Sequence, residues 1–124
     1  MHHFSGICII TDNVPRLRDF YCAVLQTDVP TDELFVSIPL GATALSLFRR
    51  DGIGQIWPGL SFGGGSGGYT IEFEVADVDA EHARLSALGA DILKPPTTQP
   101  WGRRSVWLRD PDGNIINFSA PVAL

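Results

Sequence analysis

Cysteine is scarce in this chain. Only Cys8 and Cys22 occur in 124 residues, and they form no Cys-x-x-Cys pair. A disulfide scaffold is thereby excluded, and both thiols are expected to be reduced. Cys8 lies in an apolar strand and Cys22 in a helix, so both read as small buried packing residues. Long apolar runs are also missing: none approaches the roughly 20 residues that span a bilayer. The chain opens Met1-His-His-Phe and passes directly into strand-like sequence, with no basic segment or apolar signal core. A cytoplasmic location and no membrane partner are expected. Positive charge is sparse, with 9 Lys and Arg against 14 Asp and Glu and a net charge of −5. No basic stripe exists to displace counterions from a nucleic-acid backbone, which argues against a nucleic-acid partner. Arg103, Arg104 and Arg109 read as a solvated or ion-paired face. The acidic surface is weakly compatible with a cationic ligand.

What is present suffices for one compact domain over residues 1–124. Apolar residues make up 44% and charged residues 19%, which is ordinary for a folded soluble protein. A chain of this size buries about two thirds of its unfolded surface and needs no staple. The pattern then repeats itself. Phe4 to Ile10 reads as a strand, followed by an amphipathic helix from Val14 to about Leu25. Leu17, Phe20, Tyr21, Val24 and Leu25 share one face of it. Asn13 suits the N-cap and Pro15 the first turn. Strands are expected around Leu34 to Pro39 and Thr43 to Phe48, with a shorter one around Ile56 to Phe62. Tyr69 to Val75 starts a second copy, with a helix from Val78 to about Leu88 that places Val78, Ala83, Leu85 and Leu88 inward. Gly89 ends that helix, and Asp91 to Leu93 is a short extended piece. Asn13-Val14 matches Asp77-Val78, and Asp28-Val29 matches Asp91-Ile92. The reading is two β-α-β-β-β modules, residues 4–62 and 69–121, joined by Gly63-Gly-Gly-Ser-Gly-Gly68. That linker is a flexible coil and not a phosphate loop, because no Lys-Ser/Thr and no helix follow it.

The last third is the most specific part. Trp101-Gly-Arg-Arg-Ser-Val-Trp-Leu-Arg-Asp-Pro-Asp-Gly-Asn-Ile-Ile-Asn-Phe-Ser119 reads as two antiparallel strands around a tight turn. Pro111 presets φ, Gly113 supplies a positive φ, and Asp110 hydrogen-bonds back onto the turn. This hairpin resembles the closing hairpin of the vicinal oxygen chelate superfamily, which includes glyoxalases, extradiol dioxygenases and bleomycin-resistance proteins. Asp12-Asn13-Val14, Phe20-Tyr21, Val24-Leu25 and Phe73-Glu-Val-Ala-Asp-Val-Asp79 extend the resemblance to roughly Phe4–Pro121. Gln26 departs from it, since the family usually has Gly there. The resemblance implies an α+β fold, in which the two modules form an open cup-shaped mixed sheet with helices outside.

Metal-dependent members take ligands from positions that fall here on Gly6, Thr70 and Asn117. Gly6 has no side-chain donor, and Thr70 and Asn117 have only neutral oxygens. No catalytic metal and no other cofactor are expected in the family position. A rescue site from His2 and Glu72 is the alternative; His82 reads as a solvated helix residue. No Gly-x-Ser-x-Gly turn occurs, and the three histidines lie away from the cup centre, so no catalytic residue is assigned. Glu72 could serve as a base, as an anchor for a cation, or as an ordinary exposed strand residue.

The Trp101-Gly102-Arg103-Arg104 run resembles drug-sequestering members of the superfamily. Those members imply a homodimer whose aromatic clefts hold planar or cationic compounds. Trp57, Phe62, Trp101 and Trp107 are the aromatic candidates, with Glu72 and Asn117 as polar anchors. Packing in the core is the competing role for Trp101 and Trp107. Trp107 is expected on the cup face of its strand, with Val106 and Leu108 facing the helix. The leading reading is a metal-independent small-molecule-binding protein of the bleomycin-resistance type. A metal-dependent lyase, isomerase or dioxygenase with a non-standard site is the alternative, and a dimeric scaffold without a ligand is a third.

Overall fold

The computed structural model describes residues 1–56, 58–59 and 68–122. They fall into two compact units, Met1–Gly64 and Gly65–Leu124. The architecture is α+β, with one mixed sheet in each unit.

The first unit contains β1 (Gly6–Thr11), α1 (Val14–Leu25), β2 (Phe35–Leu40), β3 (Thr43–Arg49), a 3-10 turn at Arg50–Gly52 and the short α2 (Ile53–Ile56). Its sheet runs β1-β3-β2, with β1 parallel and β2 antiparallel to β3. Asn13 starts α1 by accepting from the Arg16 N–H at 3.1 Å, and Pro15 loses no bond in the first turn. Gln26 ends the helix in the left-handed conformation, φ 55°, where glycine is usual. Val14, Leu17, Tyr21 and Val24 are buried, while Phe20 and Leu25 are half-buried.

Two expectations for this unit need correction, and one sequence match has no structural counterpart. Cys8 is exposed, because its strand position points away from the core that Ile9 and Thr11 enter; only Cys22 is buried. Asp28-Val29 forms no strand, although it aligns with Asp91-Ile92. Side chains take over its backbone groups instead: Arg18 Nε donates to the Val29 carbonyl at 2.8 Å and its guanidinium pairs with Asp28. Asp32 then accepts from the N–H groups of Leu34 and Phe35 at 2.9 and 3.0 Å. Finally, Ile56 ends a helical turn rather than opening a strand. Residues 57 and 60–62 of that expected strand lie outside the described residues.

The second unit contains β4 (Thr70–Glu74), α3 (Val78–Ala87), β5 (Asp91–Thr98), β6 (Arg103–Arg109) and β7 (Ile115–Pro121). Its sheet runs β4-β7-β6-β5, with β4 parallel to β7 and the other pairs antiparallel. Asp77 caps α3 through the Ala80 N–H at 3.1 Å, and Gly89 leaves it at φ 77°. Val78 and Leu85 are buried. Ala83 and Leu88 are exposed, and His82 is half-buried. The helix packs on β5, β6 and β7. Ile71, Val106, Leu108, Ile116 and Phe118 are the large buried apolar side chains of this unit's sheet. Arg104 ties the sheet to the first turn of α3 by two bonds to Asp79, at 2.9 and 2.8 Å. That guanidinium holds the Asp79 carboxyl below its ordinary value, mainly through the hydrogen bond.

The β6–β7 turn closes on Asp110. One carboxylate oxygen accepts from the N–H groups of Asp112 and Asn114, both at 2.9 Å, and the other accepts from Asn114 Nδ2 at 2.7 Å. Gly113 adopts φ 89°, and its N–H donates to the Asp110 carbonyl at 2.9 Å. Asp110 and Asn114 are both buried. Replacing Asp110 with Ala strands those donors away from water. Asp110→Ala is expected to cost about 2–4 kcal/mol in urea unfolding, since each buried unpaired group costs about 1–3 kcal/mol. A cost below about 0.5 kcal/mol would show that the turn does not depend on this carboxylate.

Candidate functional site

The strand period of two sorts the second sheet into a helix face and an open face. Val106 pairs with Phe118, and Leu108 with Ile116, on the helix face. On the open face one row crosses all four strands: Glu72 opposes Asn117, Asn117 opposes Trp107, and Trp107 opposes Lys94. A second row runs Glu74, Ser119, Ser105, Thr97. The first row, with Ser105 and Ser119 of the second, floors a cavity of about 570 Å³, a size suited to a small organic ligand. The β5–β6 turn adds Gln99 and Trp101 to its wall.

The cavity brings together four of the six side chains expected at a ligand site: Glu72, Trp101, Trp107 and Asn117. Trp57 and Phe62 lie outside the described residues. Trp101 is 72% exposed, so it forms a rim and not part of the core. Trp107 is half-buried on the open face. Glu72 is exposed at the β4 edge, and its carboxylate accepts from Thr70 Oγ1 at 3.1 Å. Two atoms of the central row are buried without a hydrogen-bond partner: the indole Nε1–H of Trp107 and Oδ1 of Asn117. A donor and an acceptor left unpaired on register neighbours each cost about 1–3 kcal/mol. Such a pair is a feature to expect where a ligand completes the bonding.

Sequence reasoning missed Lys94, and the reason is local. Continued from Asp91 opposite Arg109 and Ile92 opposite Leu108, regular pairing would put Lys94 opposite Val106 on the helix face. Instead the register shifts between Ile92 and Lys94, and again between Lys94 and Thr97. Each shift inserts one extra residue on β5, which is a β-bulge that re-aims the side chain. Lys94 thereby turns to the cavity. Pro95 and Pro96 follow it, and proline is tolerated because β5 is an edge strand. Lys94 is also the single lysine of the chain. That fact and the Pro-Pro pair were the available signals. Its Nζ donates to the Ser105 carbonyl at 2.8 Å and to Ser105 Oγ at 3.0 Å. It lies 5.8 Å from the Trp107 ring centroid, a cation–π distance. Burial holds its ammonium below the ordinary lysine value, and the Arg104 charge adds to the effect. Arg103 reaches the same wall but is paired, at 3.1 Å to Glu74 and 2.8 Å to Ser119 Oγ.

The family model described as Glyoxalase/Bleomycin resistance protein/Dioxygenase superfamily matches residues 1–118. No curated protein matches the chain. Among solved structures, one described as a conserved domain protein is 27% identical, with a TM-score of 0.82 over 97% of this chain and 99% of its own. A lactoylglutathione lyase from Agrobacterium tumefaciens is 22% identical, with a TM-score of 0.74 over 94% of this chain and 92% of its own. TioX from Micromonospora sp. ML1 is also 22% identical, with a TM-score of 0.73 over 98% of this chain and 100% of its own. At that identity the last two show the fold alone.

The three positions where the resemblance puts metal ligands do not fit a divalent transition metal. Thr70 presents a hydroxyl and Asn117 a carboxamide, and neither neutralises charge. Gly6 presents nothing, and its backbone admits nothing: at φ 150° a Cβ would lie 2.0 Å from the Ala44 carbonyl oxygen across the β1–β3 pair. Among the described residues no three His, Cys, Asp or Glu side chains gather as a metal site. A Gly6→Ala substitution is expected to destabilise the protein by about 2 kcal/mol or more, through that clash and the left-handed φ. A melting temperature equal to wild type would show that β1 relaxes freely there.

Proposed function

Because the chain belongs to the Glyoxalase/Bleomycin resistance protein/Dioxygenase superfamily, we propose that it is a metal-independent member that binds and sequesters a planar small molecule, an antibiotic or a similar aromatic compound. The observation that carries this reading is the cavity of about 570 Å³ floored by the row Glu72, Asn117, Trp107, Lys94. The indole gives a broad, rigid surface for stacking, and Trp101 at the rim can close over a flat ring. Asn117 occupies the position where metal-dependent relatives are expected to carry a carboxylate, and it supplies a neutral carboxamide in its place. Lyase, isomerase or dioxygenase chemistry through a metal has no support from the donors at Gly6, Thr70 and Asn117. A cationic ligand is disfavoured by Lys94, whose charge sits in the cavity.

We further propose a cytoplasmic homodimer. The exposed Cys8 thiol suits a reducing compartment. β1 and β4 each end their sheet, and Phe4 and Tyr69 beside them are exposed apolar side chains that a second copy could cover. No helix among the described residues is long and apolar enough to cross a membrane.

In light scattering the particle mass is expected to be about twice the chain mass of 13.5 kDa; a monomer at micromolar concentration would contradict the dimer. The binding role is tested by calorimetric titration of chelator-treated protein with two-ring aromatic probes. At least one probe should bind near one per chain, and Trp107→Ala should weaken it about tenfold or more, the scale of one lost stacking contact. Unchanged affinity in that variant would remove Trp107 from the site.

A further inference from the structure

Resting on the binding role above, we propose that Lys94 determines which compounds the cavity accepts. The ligand class is a planar aromatic carrying an anionic oxygen group, a carboxylate or phenolate, set against the Lys94 ammonium beside the Trp107 ring.

Charge pairing in the second unit leaves Lys94 and Arg109 without a carboxylate partner among the described residues, and of the two only Lys94 lines the cavity. Arg84 is paired with Glu81, Arg103 with Glu74 and Arg104 with Asp79. Arg109 donates to the Gly113 carbonyl at 2.8 Å. Lys94 has no carboxylate partner among the described residues, and both its acceptors belong to neutral Ser105. An ammonium has three N–H donors. Two are engaged with Ser105, and the third remains for a group in the cavity.

The cavity's own carboxylate is not placed to answer it. Glu72 stands at the other edge of the row, three strand spacings or roughly 14 Å away, and is engaged with Thr70. Arg104, bonded to Asp79 at the first turn of α3, brings no counter-charge to Lys94 either. A half-buried cation without a counter-charge is costly, and an incoming anion offsets that cost. The neighbouring Trp107 Nε1–H, itself without a partner, offers a second donor on the same row. The bulge between Ile92 and Lys94 matters here, because without it the lysine would face the helix.

The test uses the full chain, chelator-treated, titrated calorimetrically with three flat two-ring probes that differ in charge: 2-naphthoate, 2-naphthamide and N-methylquinolinium. Naphthoate is expected to bind about tenfold or more tighter than naphthamide, the scale of one charge-assisted hydrogen bond. Lys94→Met should abolish that preference, and Lys94→Arg should retain it. Equal or tighter binding of naphthamide or N-methylquinolinium, or a naphthoate preference that survives Lys94→Met, would overturn the assignment to Lys94 while leaving the binding role standing. Should Lys94→Met fail to fold, the wild-type ranking and Lys94→Arg decide. Binding of none of the three would overturn the binding role together with this inference.

Discussion

The carboxylate of Asp110 locks the turn between β6 and β7, and the arrangement of the second unit depends on it. Three donors converge on that one buried side chain. They set where Ile115 meets Arg109, and so every pair up the hairpin to Arg103 opposite Pro121. A slip of one residue would exchange the two faces. Trp107 and Asn117 would then turn to the helix, and Val106 and Phe118 would turn to the cavity. Register also carries the pattern outward, because β4 adds to β7 and places Glu72 beside Asn117.

The far edge works by the opposite device. β5 keeps its place against β6 only by absorbing two extra residues, and between the two irregularities stands Lys94. Strict pairing in the centre builds the apolar face, and broken pairing at the edge brings a charge to the polar face. The resulting site has an aromatic ring, an ammonium and, at the position where metal-dependent relatives are expected to carry a carboxylate, the carboxamide of Asn117. Fold alone does not decide function in such a case; the side chains on the floor do.

Much of this was legible because it is periodic. The apolar spacing from Val14 to about Leu25 marks α1, and the Asp-Pro-Asp-Gly-Asn run marks the closing turn. Alternation along β6 sorts Trp107 from Val106 and Leu108. The parts that were hidden break a period. Lys94 follows the parity of the wrong face until the bulge between Ile92 and Lys94 re-aims it. Asp28-Val29 carries the sequence echo of β5, yet Arg18 and Asp32 take its backbone groups and no strand forms. Cys8 sits in an apolar strand but on its outward side, which composition alone does not reveal. Ala83 and Leu88 fit a helical stripe wider than the one α3 buries.

The central claim is that this cavity binds a flat aromatic anion through its own side chains, without a metal. The most direct measurement is the indole Nε1–H resonance of Trp107 in chelator-treated, nitrogen-15-labelled protein, followed during titration with 2-naphthoate. The account predicts a saturable shift of that resonance at about one probe per chain, with the Asn117 side-chain amide moving alongside it. A Trp107 signal that stays fixed until a divalent metal is added would contradict the account and place the chemistry with the metal-dependent relatives.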